Sequence, residues 1–307
     1  MINFVNHADI EKDKWNNCVR LSQFPTFFAD YDLLTLANPE WCALILGDYE
    51  AVMPLPIKSK YSVSYIYTPV FISRLGIFSI RPDKINHQDF IVHIPAKFKH
   101  INLIFNTFIQ DERLKNLHSY QLLLKDNYET IHASFSDNCK RNIKSAEKQH
   151  LMYSEDVNTE DIITLFKNNR GRDKRIHLKQ SDYQLLKEMS DLATSRSLLD
   201  KIAVRNQEGD IVAAALFLKD CERIWFWFSG RSEKHAKTGA MFFLINEYIK
   251  KHTESSWILD FNGSMNEQIA RFYRGFGGEK YEFSFLQQSD IKWKQLIRWY
   301  HYLKNKI

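Results

Sequence analysis

Cysteine is sparse: the 307-residue chain has four, Cys18, Cys42, Cys139 and Cys221. They are far apart and form no C-x-x-C pair, which excludes a disulfide framework or a cysteine-type zinc site and points to a reducing compartment. Long apolar runs are missing too. The longest clear one, residues 211–218, falls far short of the roughly 20 needed to span a bilayer. The opening residues Met1 to His7 carry no basic stretch followed by an apolar run, so no signal peptide is expected and the protein reads as cytoplasmic. There is no tandem repeat, low-complexity tract or glycine-rich linker. The histidines show no H-x-x-x-H or H-E-x-x-H spacing, so no metal site is expected, and neither G-x-S-x-G nor a P-loop occurs. A strong excess of one charge is also lacking. The net charge of +5 suits an anionic ligand such as a coenzyme phosphate, but does not by itself indicate nucleic acid.

What is present is core material: 44% hydrophobic and 14% aromatic residues, which excludes a disordered chain. The length fits one large domain or two of about 150 residues. Periodicity predicts helices over 10–20 and 30–37, strands over 41–46, 51–57 and 62–67, a helix over 82–92, and strands over 101–105 and 120–124. A second series follows. It comprises helices over 126–132 and 136–148, a strand over 151–154, helices over 161–168 and 182–193, and strands over 198–205 and 211–219. Ser136 is the expected N-cap of a helix with an apolar stripe of Cys139, Ile143 and Ala146. Lys140, Lys144 and Lys148 make a second stripe on it. A last strand over 281–286 and a last helix over 291–304 complete the series.

Residues 223–278 organise the rest. Arg223-Ile-Trp-Phe-Trp-Phe-Ser229 reads as a buried strand, and a polar loop with Gly230 and Gly239 follows. Residues 241–251 have helical spacing, 257–261 form a strand, and 266–274 a short helix that stops at Gly275-Phe-Gly-Gly278. This order resembles the core of the GNAT acyltransferase superfamily. The stretch Ala270-Arg-Phe-Tyr-Arg-Gly-Phe-Gly277 is similar to its A-x-x-x-Y-x-x-x-G-F helix, with compressed spacing. Together with Leu259-Asp-Phe-Asn-Gly-Ser264 it looks closer to the Fem-like branch, in which two GNAT-like halves share one chain. The resemblance implies a bacterial α/β protein with mixed sheets and two fused halves. The first half, 1–125, is degenerate, and the second, 126–307, carries the donor loop.

In such a protein the loop and the helix N-terminus hold the pyrophosphate of acetyl-CoA or another acyl-CoA. Ser229, Arg231, Lys237, Thr238, Gly239 and Ala240 stand in the matching positions. The usual Q/R-x-x-G-x-G/A pattern is reduced here to Gly239-Ala240, so a solvated polar loop is the competing reading. Tyr273 matches the tyrosine that protonates the departing thiolate, and packing of its ring is the alternative role. Asp260, at the end of a strand, reads as an acceptor-orienting group or base, or else as a cap for the turn that follows. Arg170, Arg172 and Arg175 belong to a basic loop that is either an anion grip or a solvated face.

The reading is acyl or aminoacyl transfer to a small-molecule or peptide amine. A transferase using aminoacyl-tRNA is one alternative, and an inactive GNAT-fold binding protein is another.

Overall fold

A computed structural model describes residues 1–60, 63–173, 176–263 and 265–289. Arg175 and the helix expected over 291–304 lie outside the described residues. The chain divides into two compact units, Met1–Leu117 together with the chain from Glu282 onward, and His118–Tyr281. The expected halves met near residue 125 and placed everything beyond it in the second.

The first unit begins with β1 (Ile2–Asn6), α1 (Lys12–Leu21) and α2 (Tyr31–Ala37), followed by β2 (Cys42–Leu46), β3 (Ala51–Leu55), β4 (Ile57–Lys60), β5 (Val63–Tyr67), β6 (Phe78–Ser79), α3 (His87–Val92) and β7 (His100–Ile104). One sheet has the order β1-β2-β3-β6. The helix expected over 82–92 is interrupted: Pro82–Lys84 is a 3-10 turn, and α3 starts afresh with Asn86 capping the Gln88 N–H. The core sits behind α1, where Trp15 and Trp41 meet edge to face at 4.7 Å. Their indole N–H groups donate to the Ala29 carbonyl and the Thr35 hydroxyl, so both rings are buried without a lost hydrogen bond.

β8 (Leu114–Leu123) leads into α4 (Tyr128–Ala133), α5 (Asp137–Lys148), β9 (Met152–Ser154), α6 (Thr159–Asn168), α7 (Gln180–Ser195), β10 (Leu199–Arg205), β11 (Ile211–Asp220), β12 (Arg223–Arg231), α8 (Ala240–Lys251), β13 (Ile258–Asp260), α9 (Glu267–Arg274) and β14 (Glu279–Ser289). Within the second unit the strand order is β8-β13-β12-β11-β10-β9. The chain from Glu282 groups with the first unit for a local reason. Residues 285–289 pair antiparallel with β7, Phe285 opposite Ile104 and Ser289 opposite His100.

The second unit's central strand, β11, is buried on both faces, which explains its unbroken apolar sequence. Ala213, Ala215 and Phe217 share one cluster with α5 and α8. Alternate residues Ala214, Leu216 and Leu218 are buried too, on the opposite face. Phe217 stacks on Tyr248 of α8, with ring centroids 3.7 Å apart. The expected stripe of α5 is buried, and the Ser136 side chain accepts from the Cys139 N–H. Among the described residues no helix is long and apolar enough to cross a membrane.

Candidate functional site

β12 and β13 run parallel and pair from Arg223↔Ile258 to Trp225↔Asp260. There β13 ends, while β12 continues to Arg231. Against β11, the register of β12 passes from Phe217↔Phe226 to Leu216↔Phe228, so Trp227 is the extra residue of a bulge. Beyond the parting lies a cavity of about 400 Å³, within the range of small-ligand sites. Phe226, Ser229, Gly230 and Arg231 of β12 line it, as do the first residues of α8 and Tyr273 of α9.

Tyr273 is on the buried side of α9 because Asn266 caps the first turn, accepting from the N–H groups of Gln268 and Ile269. That start turns Ala270 and Tyr273 inward. The Tyr273 ring stacks on Phe261 at 4.8 Å and meets Phe226 edge-on. Its hydroxyl has no hydrogen-bond partner among the described residues. Burial pushes the phenol's pKa well above its ordinary value; the Arg170 charge pulls it down, and Asp260 adds to the rise. The group therefore keeps its proton through the neutral range.

At the α8 N-terminus Gly239 takes a left-handed φ of +80°. A Cβ there would lie 2.2 Å from the Asn142 carbonyl oxygen of α5. The close approach that Gly239 permits is thus made by α5. The Thr238 hydroxyl accepts from the Ala240 N–H and donates to the His235 carbonyl. Among the described residues, no acceptor takes the N–H groups of Met241 and Phe242, and both residues line the cavity.

Of the residues singled out in the sequence, Ser229, Arg231, Gly239, Ala240, Arg170 and Tyr273 line this one cavity. Lys237, Thr238 and Arg172 are not among its lining residues. Arg172 pairs instead with Glu233 at 3.4 Å on the exposed surface. Asp260 is fully buried behind the cavity. Its Oδ1 accepts from the Asn262 N–H at 2.8 Å and the Ser119 hydroxyl at 3.2 Å. Its Oδ2 accepts from Arg223 at 3.2 Å and from the Tyr281 hydroxyl. Asn142, Asp173, His235 and Gln268 also line the cavity and were not singled out. For Asp173 a signal existed, since it lies inside the basic loop of which only the cations were weighed.

No protein-family model and no curated protein sequence matches the chain. Solved structures do. FemX superposes with a TM-score of 0.64 at 12% identity, over 90% of this chain and 96% of that one. A tandem GNAT protein from the clavulanic acid biosynthesis pathway gives 0.55 at 11% identity, over 94% and 100%. L-PGS from Bacillus licheniformis gives 0.54 at 10%, over 91% and 92%. With these likenesses and the order of its own elements, this chain has the Fem-like double-GNAT fold.

Proposed function

We propose that the protein is an N-acyltransferase, moving an acyl or aminoacyl group from a carrier thioester or ester to an amine inside the second unit's cavity. The observation that carries the reading is the Tyr273 hydroxyl, without a hydrogen-bond partner among the described residues, on the wall of the cavity that opens where β12 and β13 part. The amine attacks the acyl carbonyl. Backbone N–H groups of β12 beyond Trp225, where β13 no longer runs alongside, are the source of oxyanion stabilisation. As the C–N bond forms, the amine nitrogen gives up a proton to water; the C–S or C–O bond to the carrier breaks, the carrier leaves as thiolate or alkoxide and takes the Tyr273 proton, and the proton shed by the amine returns through water to the phenolate. The N–H groups of Met241 and Phe242, at the positive end of α8, suit the phosphates of an acyl-coenzyme A.

One observation favours a second reading, an aminoacyl-tRNA donor. The Asn142 carbonyl stands at Gly239, and the loop before α8 is closed by its own bonds, with Arg231 donating to the Ala236 carbonyl and Gln149 to that of Thr238. A coenzyme pyrophosphate has less room there than a donor whose phosphates lie outside the cavity.

The test is turnover of the purified protein with acetyl-CoA and with aminoacyl-tRNA, each against a panel of amines, for the wild type and Tyr273→Phe. The expected loss on removing the hydroxyl is about 10²–10⁴-fold in kcat, with little change in melting temperature because the hydroxyl has no hydrogen-bond partner among the described residues. Equal turnover of the two proteins removes Tyr273 from the chemistry. Absence of transfer from both donors overturns the reading.

A further inference from the structure

Giving its proton to the departing carrier leaves Tyr273 a phenolate, and its surroundings suit an anion poorly. The ring stacks on Phe261 and meets Phe226 edge-on, and no described residue donates a hydrogen bond to its oxygen. A buried charge without a partner is costly. Burial is the main cause of the raised phenol pKa; of the two charges that act on it, Arg170 opposes the rise and Asp260 adds to it.

Arg170 is placed to supply the missing positive charge. It opens the 3-10 turn Arg170–Arg172 directly after α6 and lines the same cavity as Tyr273. Among the described residues none accepts a hydrogen bond from its guanidinium or forms an ion pair with it. Arg231, the other guanidinium on the cavity wall, is tied to the Ala236 carbonyl, and Arg223 is tied to Asp260. The turn that carries Arg170 is pinned. The Asp173 N–H donates to the Arg170 carbonyl at 3.0 Å. A Cβ on Gly171 would lie 3.1 Å from the Phe166 carbonyl and 3.3 Å from the Tyr183 hydroxyl, so the backbone lies close against α6 and α7.

We propose that Arg170 is a positioning residue for the acid step, its guanidinium stabilising the Tyr273 phenolate while the carrier departs. The step needs no further reactant. The O–H bond of Tyr273 breaks as the carrier's S–H or O–H bond forms, and the proton shed by the amine then restores the phenol through water. Arg170 keeps its own protons throughout and acts by charge alone. The inference deepens the acyl-transfer reading and rests on it.

The experiment is a double-mutant cycle in steady-state transfer by the whole protein, with acetyl-CoA or aminoacyl-tRNA as donor and the amine that it acylates. Arg170→Gln should lower kcat about fivefold, the scale of a partly exposed charge pair, and leave KM for both substrates unchanged. Arg170→Lys keeps a cation and should recover most of that loss. In the Tyr273→Phe background no phenolate forms, so Arg170→Gln should cost nothing further. Thermal melts should match, because the side chain is exposed and has no partner among the described residues. If Arg170→Gln fails to fold, Arg170→Met takes its place. Wild-type kcat in Arg170→Gln overturns the proposal, as does an equal loss in both backgrounds. A rise in KM alone overturns it too and assigns Arg170 to substrate binding. Tyr273→Phe at full turnover, or no transfer from either donor, overturns the acyl-transfer reading and this inference with it. An inactive Tyr273→Phe beside a fully active Arg170→Gln overturns this inference alone, so the two failures give different results.

Discussion

Trp225 and Asp260 are the last partners that β12 and β13 share, and the cavity begins where that ladder ends. The pair marks a division of labour. Trp225 directs its indole N–H to Asp220 at 2.8 Å, and Asp260 anchors the turn leading to α9. One strand then runs on to build the cavity wall, while the other hands the chain to the helix that carries Tyr273.

Asp260 is expected to act through position. Asp260→Ala leaves the Arg223 guanidinium without its buried carboxylate, and should cost about 3 kcal/mol of stability, the lower end for a broken buried pair because Arg223 is a quarter exposed. Asp260→Asn should cost less and retain part of the turnover. Loss of turnover in Asp260→Asn at unchanged denaturant midpoint would instead assign the carboxylate to the chemistry.

Gly239→Ala should lower stability by about 1–3 kcal/mol, the scale of one strained backbone residue. The reason is twofold, a left-handed φ and the Asn142 carbonyl in the way of the new Cβ. Because the clash lies at the first turn of α8, donor binding should weaken along with the thermal melt. A melt equal to wild type would mean that α5 yields freely there.

Arg172→Ala should change little. Its guanidinium and the Glu233 carboxylate are each 68% exposed, and pairs of that kind are worth about 0–1 kcal/mol. Melting temperature and ligand affinity should match the wild type. A marked drop in affinity would bring Arg172 into the site.

Stability should fall on acidification, in part through His252. Burial holds its pKa below the ordinary value, against the carbonyl of Tyr248 and the charge of Asp200, which favour the proton. The folded form thus binds the proton less readily than the unfolded chain. Its contribution is present above the unfolded pKa of about 6.5 and is lost as pH drops below it. His87, His100 and His132 are lowered by burial as well. The measurement is urea unfolding at about pH 7.5 and 5.5 for the wild type and His252→Gln. The variant should lose less stability between the two; an equal loss would clear His252.

Much of the second unit was legible residue by residue. The stripe Cys139, Ile143, Ala146 and the Ser136 cap state a helix within a dozen residues, and α5 follows them. The apolar run of β11 and the helix beginning at Asn266 were readable in the same way. Such signals act between neighbours within about four positions, where side-chain period and capping are decided. β1 was not legible, since Ile2 to Asn6 becomes a strand by pairing with Cys42 to Leu46. The return of the chain from Glu282, the Trp227 bulge and the end of the β12–β13 ladder depend likewise on hydrogen bonds between distant segments. The same holds at the site. Tyr273 could be singled out from its local motif, but Asp173, Asn142 and the donors around Asp260 are gathered from separate elements. Local spacing set the elements; the tertiary fold decided which charges share a cavity, because only contacts far apart in sequence bring those walls together.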